Sequence, residues 1–144
     1  MASQRITISP SEHQEQAALI GWWRVQCTAL GIPEPLLYAI PNGGARDAIT
    51  GRNLRDEGVR RGIPDLMLAV PNDLYHGLYI ELKTQTGRPS PEQRQMIEML
   101  NTQGFRAVIC HGFEEARNEI LCYLAISRAK TRSIFNDICQ LSAQ

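Results

Sequence analysis

The chain alternates between apolar positions spaced for helices and short apolar runs spaced for strands. Ala17, Leu19, Ile20, Trp22, Trp23 and Val25 support an amphipathic helix to about Leu30, closed by Gly31 and Pro33. Ser9-Pro10-Ser11-Glu12 marks its start, with Ser9 or Ser11 as cap and acids in the first turn. Residues 36–40 read as a strand stopped by Pro41-Asn42-Gly43-Gly44, and the polar stretch 45–57 as a helix ended by Gly58. Two apolar runs, 66–70 and 78–82, flank a turn-rich loop and predict a strand pair. Ser90-Pro91-Glu92-Gln93 combines an N-cap, a first-position proline and a capping-box glutamine. The helix it opens is expected to bury Met96, Ile97, Met99 and Leu100 and to end before Gly104. A strand over 105–110, a helix over 113–125 and a weak tail helix over 134–141 complete the pattern.

The order α-β-α-β-β-α-β-α distributes helices between strands, which predicts an α/β fold with a mixed sheet sandwiched by helices. No repeat, low-complexity stretch or linker divides the chain, so 1–144 is expected to be one domain, with its core over about 11–125 and a tail over 126–144 of open role.

Composition narrows the class. A chain of 144 residues, 43% hydrophobic and 21% charged, is large enough for a core without staples and ordinary for a globular protein. No apolar run approaches the ~20 residues of a membrane span, and residues 1–16 hold no apolar signal segment. The expected location is the cytoplasm, with no membrane partner. Cys27, Cys110, Cys122 and Cys139 form no CxxC pair and are expected as buried free thiols rather than disulfides or zinc ligands. Formal net charge is zero, yet residues 43–62 carry five arginines against three acids. That excess is a solvated face unless it lies beside a site that needs phosphate contacts.

Such a site is suggested by the strand pair. Along Leu78-Tyr79-Ile80-Glu81-Leu82-Lys83 side chains alternate, so Glu81 and Lys83 share one face with Tyr79. If the two strands pair antiparallel about Asp73, Asp65 falls opposite Glu81 on that face, and a slip of one residue would undo this. Two carboxylates and an ammonium brought together favour a divalent cation. Mg²⁺ takes carboxylate oxygens, retains waters and bridges to phosphate. Asp65 and Glu81 are the candidate ligands, with the Leu82 carbonyl as a third. Lys83 would orient or deprotonate a water and stabilise phosphate charge, which is hydrolytic phosphodiesterase chemistry. The plainer reading is a salt bridge at a strand end. Arg60 and Arg61, leading straight into Asp65, are candidates for phosphate contact, as are the backbone N–H groups of Asn42, Gly43 and Gly44. His76 and His111 read as loop-structuring or solvated, His13 as pointing away from Glu12, and Trp22 and Trp23 as core or dimer residues rather than base-stacking ones.

Pro64-Asp65 with Glu81-Leu82-Lys83 resembles the signature of the PD-(D/E)XK nuclease superfamily. More narrowly, Val59-Arg60-Arg61 directly ahead of Gly62-Ile63-Pro64-Asp65 resembles the VRR-NUC family. Ser11-Glu12 with Gln16, Pro41-Asn42-Gly43-Gly44, and Gly87 with Ser90-Pro91-Glu92-Gln93 resemble further motifs of that family in the same order. The resemblance runs from about Ser11 to Leu124. It implies a restriction-endonuclease-like αβββαβ core and a Mg²⁺- or Mn²⁺-dependent endonuclease, with Asp65 and Glu81 as metal ligands and Lys83 as the general catalytic residue. It implies that Glu12 approaches the metal from the side, where the alternative is an acid favoured by the helix dipole. It also gives Gln93 a site role, where the alternative is a capping partner alone. Small stand-alone members resemble phage enzymes, from which a homodimer acting on branched DNA such as a four-way (Holliday) junction is expected. The alternatives are a nuclease acting on flaps or RNA, and a non-catalytic nucleic-acid-binding module.

Overall fold

The computed structural model describes residues 9–41 and 54–126. Asn42, Gly43, Gly44, most of the helix expected over 45–57, Cys139 and the expected tail helix lie outside the described residues.

Helix α1 (Glu12–Leu30) starts at a reciprocal cap. Ser11 Oγ accepts the Gln14 N–H at 3.2 Å, and Gln14 Oε1 accepts the Ser11 N–H at 2.9 Å, so Ser11 rather than Ser9 is the cap. Gly31 closes the helix in the left-handed region, φ 72°. Leu19, Trp23 and Cys27 are buried, whereas Ala17 and Val25 are exposed. Counting apolar residues put the last two on the inner face. At 3.6 residues per turn they fall on the far side from the 19–23–27 stripe.

A 3₁₀ turn (Glu34–Leu36), whose Glu34 carbonyl accepts the Trp23 indole N–H at 2.8 Å, leads into β1 (Leu37–Ala39). A helical turn at 54–56 precedes Gly58, where the second helix was expected to stop. Then follow β2 (Leu66–Leu68), β3 (Leu78–Lys83), α2 (Pro91–Thr102), β4 (Arg106–His111) and α3 (113–126). The sheet order is β1-β2-β3-β4; the first three strands are antiparallel, and β4 runs parallel to β3 after the α2 crossover. Leu66 pairs with Ile80 and Leu68 with Leu78, the register expected from pairing about Asp73.

The two sheet faces differ in kind. Leu66, Leu68, Leu78, Ile80, Leu82 and Cys110 point into a core closed by Leu19 and Trp23 of α1 and by Ala116, Ile120 and Tyr123 of α3. The other face carries Tyr38, Met67, Tyr79, Glu81 and Lys83; α2 packs on it chiefly over β4, where Asn101 exchanges two 3.0 Å hydrogen bonds with the Ala107 backbone, and reaches β3 through Gln93. Because one side of α2 stays open, Met96, Ile97 and Leu100 are half-buried and Met99 is 46% exposed, against the expectation that all four would be buried. Cys27 and Cys110 are buried free thiols, and burial pushes the Cys110 thiol up to about 12. Cys122, on the outer side of α3, is exposed, contrary to the expectation for all the cysteines. Among the described residues no helix is long and apolar enough to cross a membrane.

The β2–β3 loop is tied to α3. Tyr123 donates its hydroxyl to the Val70 carbonyl at 2.7 Å, its own carbonyl accepts from Asn72 Nδ2 at 3.1 Å, and its ring stacks on Tyr75. Tyr123→Phe keeps the ring and orphans the Val70 carbonyl. A cost of about 1 kcal/mol, seen as a melting temperature lowered by about 3 °C with unchanged circular dichroism, is expected.

Candidate active site

The site begins with a backbone contact. Gly62 has φ +80°, and a Cβ there would lie 2.6 Å from the Glu92 carbonyl oxygen and 3.0 Å from the Gln93 nitrogen. Glycine alone lets the segment before Asp65 lie against the first turn of α2. Buried Pro64 follows, and Asp65 stands one step before β2. The 66–80 pairing extended by that step sets Asp65 opposite Glu81, and Asp65 Oδ2 accepts the Leu82 N–H at 2.8 Å.

Glu81, 1% exposed, is the centre of the cluster. Its Oε1 accepts from Lys83 Nζ at 2.7 Å and from Gln93 Nε2. Its Oε2 is buried without a hydrogen-bond partner. Lys83, 8% exposed, also lies 3.6 Å from Oε1 of Glu12, whose side chain is 47% exposed. Gln93 Oε1 meanwhile accepts the Ser90 N–H at 2.8 Å, and Gln93 N–H donates to Ser90 Oγ at 3.2 Å. The two readings of Gln93 are therefore not alternatives, since one amide closes the capping box with its oxygen and reaches Glu81 with its nitrogen.

The electrostatics reflect crowding of acids in a dry place. Burial pushes the Glu81 carboxyl up to about 7; the Lys83 hydrogen bond opposes this and the Asp65 charge adds to it. Asp65 is also raised, by burial first, against the Leu82 N–H and the Lys83 charge. Burial works against the charge of Lys83, but its bond to Glu81 and the charges of Glu81, Glu12 and Asp65 outweigh it, so the ammonium is held above its ordinary value.

The donor set fits a divalent cation. A buried carboxylate oxygen with no partner is costly, and a cation relieves it. Glu81 Oε2 is such an oxygen, and Asp65 faces it across the strand pair. Among the described residues no three His, Cys, Asp or Glu side chains converge on one point. Mg²⁺ does not need such a cage, because it keeps several waters and uses one or two carboxylates.

The cluster thus brings together Glu12, Asp65, Glu81, Lys83 and Gln93. Arg60 and Arg61 are exposed on the loop before Gly62. The Glu92 carboxyl is held below its ordinary value by hydrogen bonds at the α2 start, with Arg61 adding to the effect. Asn42, Gly43 and Gly44 lie outside the described residues. His76 packs on Gly104 and edge-on to Phe105, and His13 is exposed. His111 stands beside Lys83 in the parallel register, with Nε2 3.1 Å from the Gly87 carbonyl oxygen. Trp23 is in the core and Trp22 packs against it.

Sequence reading missed Glu15. Its Oε2 accepts the Phe113 N–H at 2.7 Å, tying the first turn of α1 to the first turn of α3. The only signal was a second acid in a helix start, which the helix dipole also explains. Nearby, Gly112 donates to the Lys83 carbonyl at 3.0 Å and Gln85 Nε2 to the His111 carbonyl at 2.9 Å, fixing the strand ends on which the cluster stands.

The VRR-NUC domain matches residues 10–114. Among solved structures, one described as a VRR_NUC domain protein superposes with a TM-score of 0.73 at 26% identity, covering 83% of this chain and 93% of that one. No curated protein sequence matches the chain. The matched region holds the four strands, both capping boxes and all five clustered side chains, and the chain belongs to the VRR-NUC family of nuclease domains.

Proposed function

We propose that the chain is a Mg²⁺- or Mn²⁺-dependent endodeoxyribonuclease that hydrolyses phosphodiester bonds in branched DNA, such as four-way junctions. The observation that carries the chemistry is the buried Glu81 carboxylate, with one oxygen held by Lys83 and Gln93 and the other left without a partner beside Asp65. Asp65 and Glu81, with the Leu82 carbonyl, would hold the ion, and Glu12 would add negative charge from the solvent side. The chemistry such an ion would supply is polarisation of a phosphoryl oxygen and charge stabilisation of the leaving alkoxide. Lys83, an ammonium in this setting, donates to a phosphate oxygen and orients the attacking water. Gln93 fixes the Glu81 carboxylate. Arg60 and Arg61, with the backbone of Asn42, Gly43 and Gly44, contact flanking phosphates. The branched substrate and a homodimer giving paired incisions rest on the resemblance to small phage-type members of the family, and a cytoplasmic setting on the reading of the cysteines as free thiols.

The test is a panel of labelled linear, flap and four-way DNA, with matching RNA, incubated with Mg²⁺, Mn²⁺ or EDTA. Cleavage of junction DNA with either metal and none in EDTA is expected. Lys83→Ala is expected to slow it about 10²-fold. If neither metal supports cleavage of any member, the nuclease reading fails; if Lys83→Ala cleaves at the normal rate, the assigned role of Lys83 is wrong.

A further inference from the structure

The sheet face that carries Glu81 and Lys83 continues away from them as an aromatic ledge. Tyr38 of β1 pairs with Met67 of β2, and Met67 with Tyr79 of β3, so these three side chains form one row across the sheet. Phe105 packs edge-on against Tyr79, with ring centroids 5.4 Å apart. Tyr79 is two residues from Glu81 on the same strand and face, roughly 7 Å away. A single nucleotide, measured from phosphate to base, bridges such a step.

Tyr38 is the exception among the described aromatic residues. The others are buried or half-buried, whereas Tyr38 is 45% exposed on a sheet face otherwise given to chemistry. A second feature adjoins it. Ile40, two residues on and on the same face, lines an apolar cleft of about 450 Å³ with Pro41, Leu54, Val59 and Ile63, and Arg60 stands among them. The Ile40 N–H donates to the Asp65 carbonyl at 2.8 Å, so the cleft borders the candidate metal ligand. An apolar surface with an open ring, an arginine and an adjacent phosphate-cleaving cluster matches the chemistry of one nucleotide: a flat base on a charged backbone.

We propose that the ledge of Tyr38 and Tyr79 stacks one unpaired nucleobase beside the phosphate that is cut, making the protein select strands with an unstacked base over continuous duplex. Within a duplex the base faces are already stacked on one another and cannot meet a tyrosine ring. At a branch point, flap or single-stranded end they can. The ledge rests on the nuclease reading for its position relative to the scissile phosphate, but its binding is measurable without catalysis.

The experiment measures affinity in EDTA at one low salt concentration, for a single strand and for the duplex of the same sequence, using wild type, Tyr38→Ala and Tyr38→Trp. A strand containing 2-aminopurine reports stacking by its fluorescence. The wild type is expected to prefer the single strand and to quench the probe. Tyr38→Ala is expected to lower the single-strand-to-duplex affinity ratio roughly tenfold and to remove the quench, and Tyr38→Trp to restore both. Circular dichroism of each variant verifies folding, and Tyr38→Trp keeps the test decisive if Tyr38→Ala is unfolded. An unchanged ratio in the folded alanine variant, or equal loss on both strands, overturns the ledge, as does failure of the wild type to quench. Absence of metal-dependent cleavage with the quench intact would instead overturn the nuclease reading and leave the ledge standing.

Discussion

Replacing Glu81 with glutamine is expected to abolish cleavage and, in the same stroke, to make the protein more stable. The loss of activity, on the order of 10³-fold or more, follows from removing the charge at a buried, unpartnered oxygen that the proposed cation would use. The gain in stability follows from the same burial. The Glu81 carboxyl titrates at about 7 in the folded chain against an ordinary 4.5. As pH rises the unfolded chain therefore gives up this proton first, so folding loses stability between these two values and the deficit is complete above the higher one. A neutral amide of the same shape still accepts from Lys83 and Gln93 and removes the deficit, for a gain of about 1–3 kcal/mol above neutral pH. Thermal melts in EDTA are expected to show the variant a few degrees above the wild type at alkaline pH, with the gap closing in acid. A lower melting temperature at alkaline pH would mean that the Glu81–Lys83 pair stabilises the fold on balance, and the argument from desolvation would fail.

Gly62→Ala is expected to be the most damaging small substitution in the loop before the site. Its Cβ would meet backbone atoms, the Glu92 carbonyl at 2.6 Å and the Gln93 nitrogen at 3.0 Å, and backbone cannot rotate aside. The left-handed φ adds strain of its own, so about 3 kcal/mol or more of stability should be lost. Gly31→Ala makes the comparison clean, because φ is +72° there too but nothing lies within 4 Å of the added carbon. It should cost about 1 kcal/mol. Urea denaturation of both variants separates strain from collision. Any Gly62→Ala protein that still folds must shift the first turn of α2, which draws Gln93 off Glu81, so its activity should fall even well below its melting temperature. Equal denaturation midpoints for the two variants would show that the close approach to α2 carries no weight.

What could be read from the sequence was local or repetitive. Alternation along 78–83 assigned faces correctly, and the apolar runs on either side of Asp73 gave the register that sets Asp65 opposite Glu81. Ser90 announced its helix because its capping chemistry lies within four residues, whereas the cap of α1 was narrowed only to Ser9 or Ser11. The unreadable part was long-range. Nothing local indicates that Gly62 touches Glu92, that Glu15 caps a helix starting at 113, or that α2 leaves Met99 in solvent. Such facts depend on how finished elements pack, and a helical residue count cannot say which side of a helix a sheet will cover. Gln93 shows the limit from the other direction. Its capping signal was complete in itself, and only the family resemblance pointed to the engagement of the other end of the amide with Glu81.

The tie between Glu15 and the Phe113 N–H has a consequence for how the site comes into being. Glu12, three residues before Glu15, takes its place beside Lys83 from a helix anchored at both ends of the described chain. Helix α1 thus gains this tie only when a stretch about a hundred residues further along the sequence is in place. Contacts of such separation form late and slowly. Asp65, Glu81, Lys83 and Gln93 can therefore meet on their own elements first, and Glu12 would complete the cluster last, once the two ends of the fold are joined.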